Sequence, residues 1–142
     1  MGWFSRRRGT GRPVLEPDDR RARPIVLSYD DAAASSTVLS GAGVDPERPV
    51  ILRHLLWLPS GASEAARGLA AQEQYVPGPE LPEDPSAPAG LEPTVLVRVQ
   101  RVDARTVSQE RSRMASLASR HGGVSAGWAV MDVADGQGAP GD

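Results

Sequence analysis

Few side chains in this sequence carry the chemistry of an active site. Ser125, His121 and Asp132 are the residue types of a hydrolytic triad, but no Gly-x-Ser-x-Gly elbow surrounds the serine. The other histidine, His54, lies in an apolar run with no acidic neighbour to orient it, and we interpret it as a hydrogen-bonded structural residue. We therefore predict that the protein is not an enzyme.

Metal and nucleotide sites also lack their usual residues. The chain has two histidines, no cysteine and no cluster of carboxylates, so a metal ion has few ligands to use. The pair Gly122-Gly123 follows a helix pattern instead of opening one, so the positive end of a helix does not face it. There is no P-loop or dinucleotide fingerprint either. We expect no metal and no cofactor.

Tryptophan and arginine side chains are the remaining candidates for binding. Trp57 and Trp128 are two of six aromatic residues, and both core burial and a place on a partner-binding face are open for them. A sheet that binds RNA in the manner of an RNA recognition motif needs aromatic residues for base stacking. The predicted strand that carries Arg98 and Arg101 has none. RNA binding by the sheet therefore has weak support.

Charge is divided unevenly along the 142 residues. Residues 1–23 hold seven arginines against three acidic residues, whereas residues 24–142 hold nine arginines against fifteen acidic residues. The basic segment also contains Trp3 and Phe4, a composition suited to contact with anionic lipid or RNA, although a solvated segment is the interpretation we favour. The absence of lysine is typical of a GC-rich genome such as that of an actinobacterium.

The composition indicates one domain between two tails. Gly and Pro make up 28 residues, which favours a large share of loop. We expect a disordered basic tail at 1–23, a folded domain at 24–133 and a disordered tail at 134–142. No run of 18 apolar residues and no signal-peptide pattern occurs, so we expect a cytoplasmic protein.

The hydrophobic pattern predicts an α+β fold. Both faces of Val50–Leu58 are apolar, which is typical of a central strand. Either Asp103 or Thr106 can cap the start of the longest helix, and Thr106 and Gln109 have the spacing of a capping box. The segment 77–93, with six prolines, is predicted to be a polar loop. Strands are predicted at 25–27, 50–58, 73–76, 94–102 and 124–133, and helices at 30–38, 62–70 and 106–121. From the second strand onward this is the βαββαβ order of a ferredoxin-like split βαβ sandwich, with an extra N-terminal helix.

Several segments resemble the regulator of ribonuclease activity B (RraB) family. In that family a Pro-x-x-x-x-His strand ends in Phe-Pro, and the second helix ends in Gly-Gly before Tyr-Asp-Gly-Trp. Here Leu58 replaces the phenylalanine, Ser125-Ala126 replace Tyr-Asp, and the Pro-rich loop is an insertion. The matching segments are Arg48–Pro59, Glu64–Ala70, Val95–Val102 and, above all, Met114–Trp128 (MASLASRHGGVSAGW).

The resemblance implies a divergent, non-enzymatic member that binds ribonuclease E and inhibits its endonuclease activity through protein contact. Two other classes are open: an immunity or antitoxin-like protein on the same fold, and a small-molecule or RNA binder on the open sheet face. We expect function to have diverged at Ser125 and Ala126. The predicted partner-binding residues are Arg53, Trp57, Arg98, Ser125, Ala126 and Trp128. Structural roles are assigned to His54, His121, Gly122, Gly123 and Gly127.

Overall fold

The computed structural model describes residues 14–134; most of each predicted tail, residues 1–13 of the first and 135–142 of the second, lies outside them. No helix among the described residues is long and apolar enough to cross a membrane. The strands are β1 (Arg23–Ser28), β2 (Val50–Pro59), β3 (Val76–Pro77), β4 (Leu91–Gln100) and β5 (Val124–Asp132), and the helices are α1 (Ser35–Leu39), α2 (Ser63–Ala71) and α3 (Ala104–Arg120).

The five strands form one antiparallel sheet in the order β1-β5-β2-β4-β3. The predicted α+β class is therefore confirmed. β2 lies at the centre, where all ten of its residues pair with β4, and β5 pairs with it on the other side. Its two apolar faces follow from this position, because a central strand is covered on both sides. The predicted first strand is present and forms the edge beyond β5.

Each face of the sheet carries part of the core. On one face, Leu56 and Leu58 of β2 pack with Ala66 of α2 and Met114 of α3. We call this the helix face. On the opposite face, Ile51, Leu55 and Trp57 pack with side chains from β4, β5 and irregular segments of the chain. Adjacent residues of β2 point to opposite faces because side chains alternate along a strand.

The face opposite the helices is closed by the Pro-rich segment 78–90, which we call the strap. Leu81 is buried against this face, and Ala87 packs beside it. Leu15 and Ala22 also pack there, so the folded part begins before the expected boundary at residue 24. The sheet face opposite the helices is therefore covered in this structure and not open.

The helix starts differ from the sequence predictions. α1 begins at Ser35 instead of Asp30, whose carboxylate accepts a hydrogen bond from the Ala32 N–H within a turn (3.0 Å). α3 does begin with a capping box, but its partners are Asp103 and Thr106, not Thr106 and Gln109. The Thr106 N–H donates to Asp103 Oδ1 (2.8 Å), and the Asp103 N–H donates to Thr106 Oγ1 (2.9 Å). Asp103 is the better cap because it stands directly before the first helical residue.

The strands around the strap also differ. β3 contains only Val76 and Pro77, whereas a strand was predicted at 73–76. The chain leaves α2 through a turn in which Gln74 has φ of 72°, a left-handed conformation that an extended strand does not allow. β4 begins at Leu91, three residues before the predicted start, because Pro93 pairs opposite Trp57 within the sheet.

Candidate functional site

The six predicted partner-binding residues do not form one surface. Arg53 and Trp57 lie on the strap face, with 1% and 7% exposure, whereas Trp128, with 3% exposure, lies on the helix face. With the strap in place, all three side chains are part of the core and offer almost no area to a partner. Arg98 is half-buried on the helix face, and Ser125 and Ala126 are half-buried in β5.

Arg53 is buried because Asp84 of the strap pairs with it. Two guanidinium nitrogens donate to the two carboxylate oxygens, at 3.1 and 2.5 Å. The Tyr29 hydroxyl (2.6 Å) and the Leu81 N–H (2.8 Å) donate to the same carboxylate. Burial alone would raise the pKa of Asp84, but the hydrogen bonds from Arg53, Leu81 and Tyr29 outweigh it and lower that pKa.

The glycines after α3 have structural reasons. Gly122 has φ of 80°, and its N–H and that of Gly123 donate to the Ser119 and Ala118 carbonyls, which is a Schellman ending. A Cβ at Gly123 would collide with the Trp57 carbonyl oxygen. His121 Nδ1 lies 2.9 Å from the Leu117 carbonyl oxygen at the end of the helix.

The rest of this stretch packs just as tightly. A Cβ at Gly127 would lie 2.5 Å from the Tyr29 ring, and β5 changes register against β2 beside it. The small cavity next to Ser125 and Ala126 holds about 20 Å³ and is also lined by Arg111. That space suits roughly one water molecule. A ligand of larger size has no room there.

A connected set of polar side chains lies beneath the helix face. Tyr75 donates to Glu110 Oε1 (2.8 Å), and its hydroxyl lies 3.3 Å from Nε2 of His54. The guanidinium of Arg98 stacks 4.4 Å from the centre of the Tyr75 ring, and one of its nitrogens lies 3.2 Å from Glu110. We call His54, Tyr75, Arg98 and Glu110 the polar cluster.

The pKa values in the polar cluster follow from burial. His54 is fully buried, and desolvation, followed by repulsion from Arg98, lowers its pKa to about 3. Burial, followed by the hydrogen bond to Glu110, raises the pKa of Tyr75. His54 and Tyr75 are therefore neutral near pH 7. The polar cluster keeps His54 and Tyr75 neutral, and through Tyr75 it anchors the chain between α2 and β3.

Beside the polar cluster, a cleft of about 480 Å³ separates α2 from α3. α3 packs on α1, β2 and β5, whereas α2 packs on β3 and β4. Leu69 of α2 is 41% exposed at the rim of the cleft. Arg113 is paired with Glu73 and Glu110, but Arg120 has no hydrogen bond or ion pair within residues 14–134. The remaining lining residues include Ala70, Tyr75, Met114 and Leu117.

The chemistry offered by the cleft is that of recognition. Apolar and polar side chains are mixed in its lining, and its rim presents guanidinium groups; the polar lining residues besides the arginines include Gln72, Glu73, Ser112 and Ser116. Across residues 14–134 no group of three His, Cys, Asp or Glu side chains is placed to hold a metal ion. The cleft was not predicted from the sequence. The sequence feature that could have indicated it is the spacing of Arg113 and Arg120, which are two turns apart on one helix.

The chain matches no known family model, no curated protein and no solved structure. The resemblance to the RraB family therefore remains an expectation from individual motifs. A functional proposal therefore has to be based on the contacts around the cleft.

Proposed function

We propose that the protein is a non-enzymatic regulator that binds another protein through the cleft between α2 and α3. One observation carries this proposal: an exposed leucine and an arginine side chain with no partner among residues 14–134 occur together at an opening between two helices. Arginine is enriched among the residues that carry most of the binding energy of protein interfaces, and burial of exposed apolar area adds to that energy. The volume of about 480 Å³ is enough for one or two side chains of a partner.

The charges at the rim indicate what enters the cleft. Arg113 already has two acidic partners, so Arg120 is the cation that a partner can use. A carboxylate next to an apolar side chain satisfies both parts of the site. Such a pair of groups occurs on one face of an amphipathic helix, where residues three or four apart are neighbours.

A second proposal concerns the fold. It supports the resemblance to the RraB family but does not depend on it. We interpret β2, α2, β3, β4, α3 and β5 as a ferredoxin-like split βαβ unit, with β1 and α1 as N-terminal additions. The support is the strand order β5-β2-β4-β3 together with α2 and α3 on one face of the sheet.

We further propose that the partner is a ribonuclease E-like enzyme, so that the protein regulates RNA turnover. The support is the resemblance of the β2 strand and of the Gly-Gly turn to the RraB family. Loss of the family's Tyr-Asp pair at Ser125 and Ala126 makes the cleft, which lies elsewhere, the more useful place to look for binding. Direct RNA binding by the sheet is less favoured, because the strap covers the face that would stack bases.

The test measures cleavage of a model RNA by ribonuclease E from the native host. Wild-type protein should inhibit cleavage, and the Leu69→Asp and Arg120→Glu variants should each weaken inhibition by about tenfold, as expected for interface anchors. Arg67→Glu is the matched control, since Arg67 is exposed on α2 but does not line the cleft. Unchanged cleavage at micromolar excess of wild-type protein would rule out direct inhibition.

A pull-down from the same host separates the other classes. Recovery of a nuclease that depends on Leu69 and Arg120 supports the proposal. Recovery of a toxin would instead indicate an immunity protein, and RNA without protein would indicate a nucleic-acid binder. Far-UV circular dichroism of each variant should match the wild-type spectrum, because both altered residues are at the surface.

A further inference from the structure

The strap is held on the sheet in an unusual way for a surface loop. Within the described residues 78–90 there is no helix or strand, and two side chains are buried, those of Leu81 and Asp84. The central contact is the carboxylate of Asp84, which accepts four hydrogen bonds. Two of its donors are Arg53 of β2 and Tyr29, which directly follows β1. The sheet thus provides a built receptor for one carboxylate.

The receptor is apolar around its charged centre. Arg53 lies between Ile51 and Leu55 on its own strand, and Val97 pairs opposite it. A Cβ at Gly78 would lie 2.7 Å from a methyl group of Val97, so the strap starts in close contact with β4. Leu81 and Asp84 are the ends of a turn in which the Asp84 N–H donates to the Leu81 carbonyl (3.0 Å). A segment that binds here needs such a turn, with an apolar side chain and a carboxylate at its two ends.

The strap does not satisfy this receptor fully. Nε of Arg53 is buried and has no hydrogen-bond partner among residues 14–134. A buried unpaired donor costs free energy relative to one that is paired. A segment that brings a further acceptor to Nε would therefore bind the face better than the strap does, residue for residue. The strap keeps its place by being tethered, since a tether raises its effective concentration.

We propose that the sheet face under the strap is a second binding site, for an acidic, proline-containing turn segment of a partner protein, and that the strap occupies it as an internal competitor. The strap itself carries Glu80, Glu83 and Asp84 and no basic residue, which defines the chemistry of the ligand. The Leu81 and Asp84 spacing defines its pattern. This inference does not rest on the cleft or on a nuclease partner.

The experiment separates the strap from its receptor. Residues 79–89 are replaced by the same number of Gly and Ser residues, and a labelled synthetic peptide of residues 78–90 is added in solution. Fluorescence anisotropy should show binding to this strapless variant. The intact chain should bind the peptide at least about tenfold more weakly, because the tethered strap competes. The peptide with the Asp84→Asn change should also bind about tenfold or more weakly, because its charge-assisted hydrogen bonds are lost.

Two controls make the outcome specific. In the strapless variant, Arg53→Met should remove the difference in affinity between the unchanged peptide and its Asp84→Asn form, which a non-specific contact would leave in place. A second peptide keeps only a leucine and an aspartate three residues apart among prolines. It should bind within about threefold of the first, and moving its aspartate by one residue should abolish binding, because the Leu81–Asp84 turn brings the apolar side chain and the carboxylate to the face together.

Three results would overturn the inference. The first is a folded strapless variant that does not bind the peptide, and the second is equal binding of the unchanged and the Asp84→Asn peptides. The third is binding of the peptide of residues 78–90 without any binding of the second peptide. That result would mean that the strap is a structural loop. If the strapless variant does not fold, Asp84→Asn in the intact chain replaces it. Hydrogen exchange should then show the strap opening while β2 and α3 stay protected, whereas global unfolding would place the strap in the core and refute the inference.

Discussion

Acid should destabilise this protein well above the pH at which carboxylates are protonated, and His54 is the reason. The unfolded chain binds a proton at His54 below about pH 6.5, the ordinary pKa of histidine. In the folded protein, burial lowers the pKa of His54 to about 3, so the imidazole stays neutral. Between these two values only the unfolded state gains a proton. Stability is therefore complete above about pH 6.5 and falls as the pH decreases.

The size of the effect follows from linkage. Each pH unit between the two pKa values changes the free energy of unfolding by about 1.4 kcal/mol per group. Acidification from about pH 6.5 to about pH 4.5 should thus cost roughly 2–3 kcal/mol, a large part of the typical stability of a domain. This range stays above the folded pKa of about 3. Asp84, whose pKa is lowered by its hydrogen bonds, contributes only at lower pH, below the ordinary aspartate pKa of about 4, where the unfolded chain takes up a proton that the folded protein does not.

Urea unfolding at several pH values, followed by far-UV circular dichroism, measures this slope. The His54→Leu variant keeps a buried side chain of similar size but cannot titrate, and it should be nearly flat between about pH 6.5 and about pH 5. His121→Gln removes the only other histidine and is the matched control. If wild type and His54→Leu lost stability in parallel over this range, His54 would not be the buried neutral group that we describe.

Three substitutions test the backbone features. Gly123→Ala should cost about 3 kcal/mol, because the new Cβ meets the Trp57 carbonyl and the turn must move. Gly68→Ala should instead stabilise by about 0.5–1 kcal/mol, since Gly68 is in α2 with open space around it. Equal stability of the two variants would contradict both assignments. Asp103→Ala should cost about 1 kcal/mol through loss of the α3 cap, with faster hydrogen exchange in the first turn as the local readout. Unchanged exchange there would mean that Thr106 alone caps the helix.

The sequence was informative where the pattern is local. The two-sided apolar run predicted the central strand β2, and the adjacent glycines predicted the end of α3. Glu110 shows the limit of predictions from a local pattern. Glu110 is charged, yet it lies three residues after Val107 and four before Met114 on α3, and it is buried. Its position followed the helical period, and its partner Tyr75, 35 residues earlier, was not visible from that period.

The position of the strap could not be predicted for the same physical reason. Its composition correctly predicted a segment without regular structure, but composition does not say where such a segment lies. One carboxylate among three in Glu80, Glu83 and Asp84 is buried, and only the position of Arg53 in the folded sheet distinguishes it. Trp57 was ambiguous from the sequence for a related reason, because its burial depends on the strap face being closed.

The two unusual polar residues of the core are consecutive in β2, and this links the two faces. Arg53 points to the strap face and His54 to the helix face, as alternation along a strand requires. Their partners, Asp84 and Tyr75, lie at the two ends of one stretch of ten residues. This stretch contains β3, which pairs with β4, and it passes there from the helix face to the strap face. That stretch therefore holds both faces of the central strand. Because β3 stays paired with β4 between these two anchors, the strap can leave its face without releasing Tyr75, and the cleft and the strap face are expected to act as separate sites.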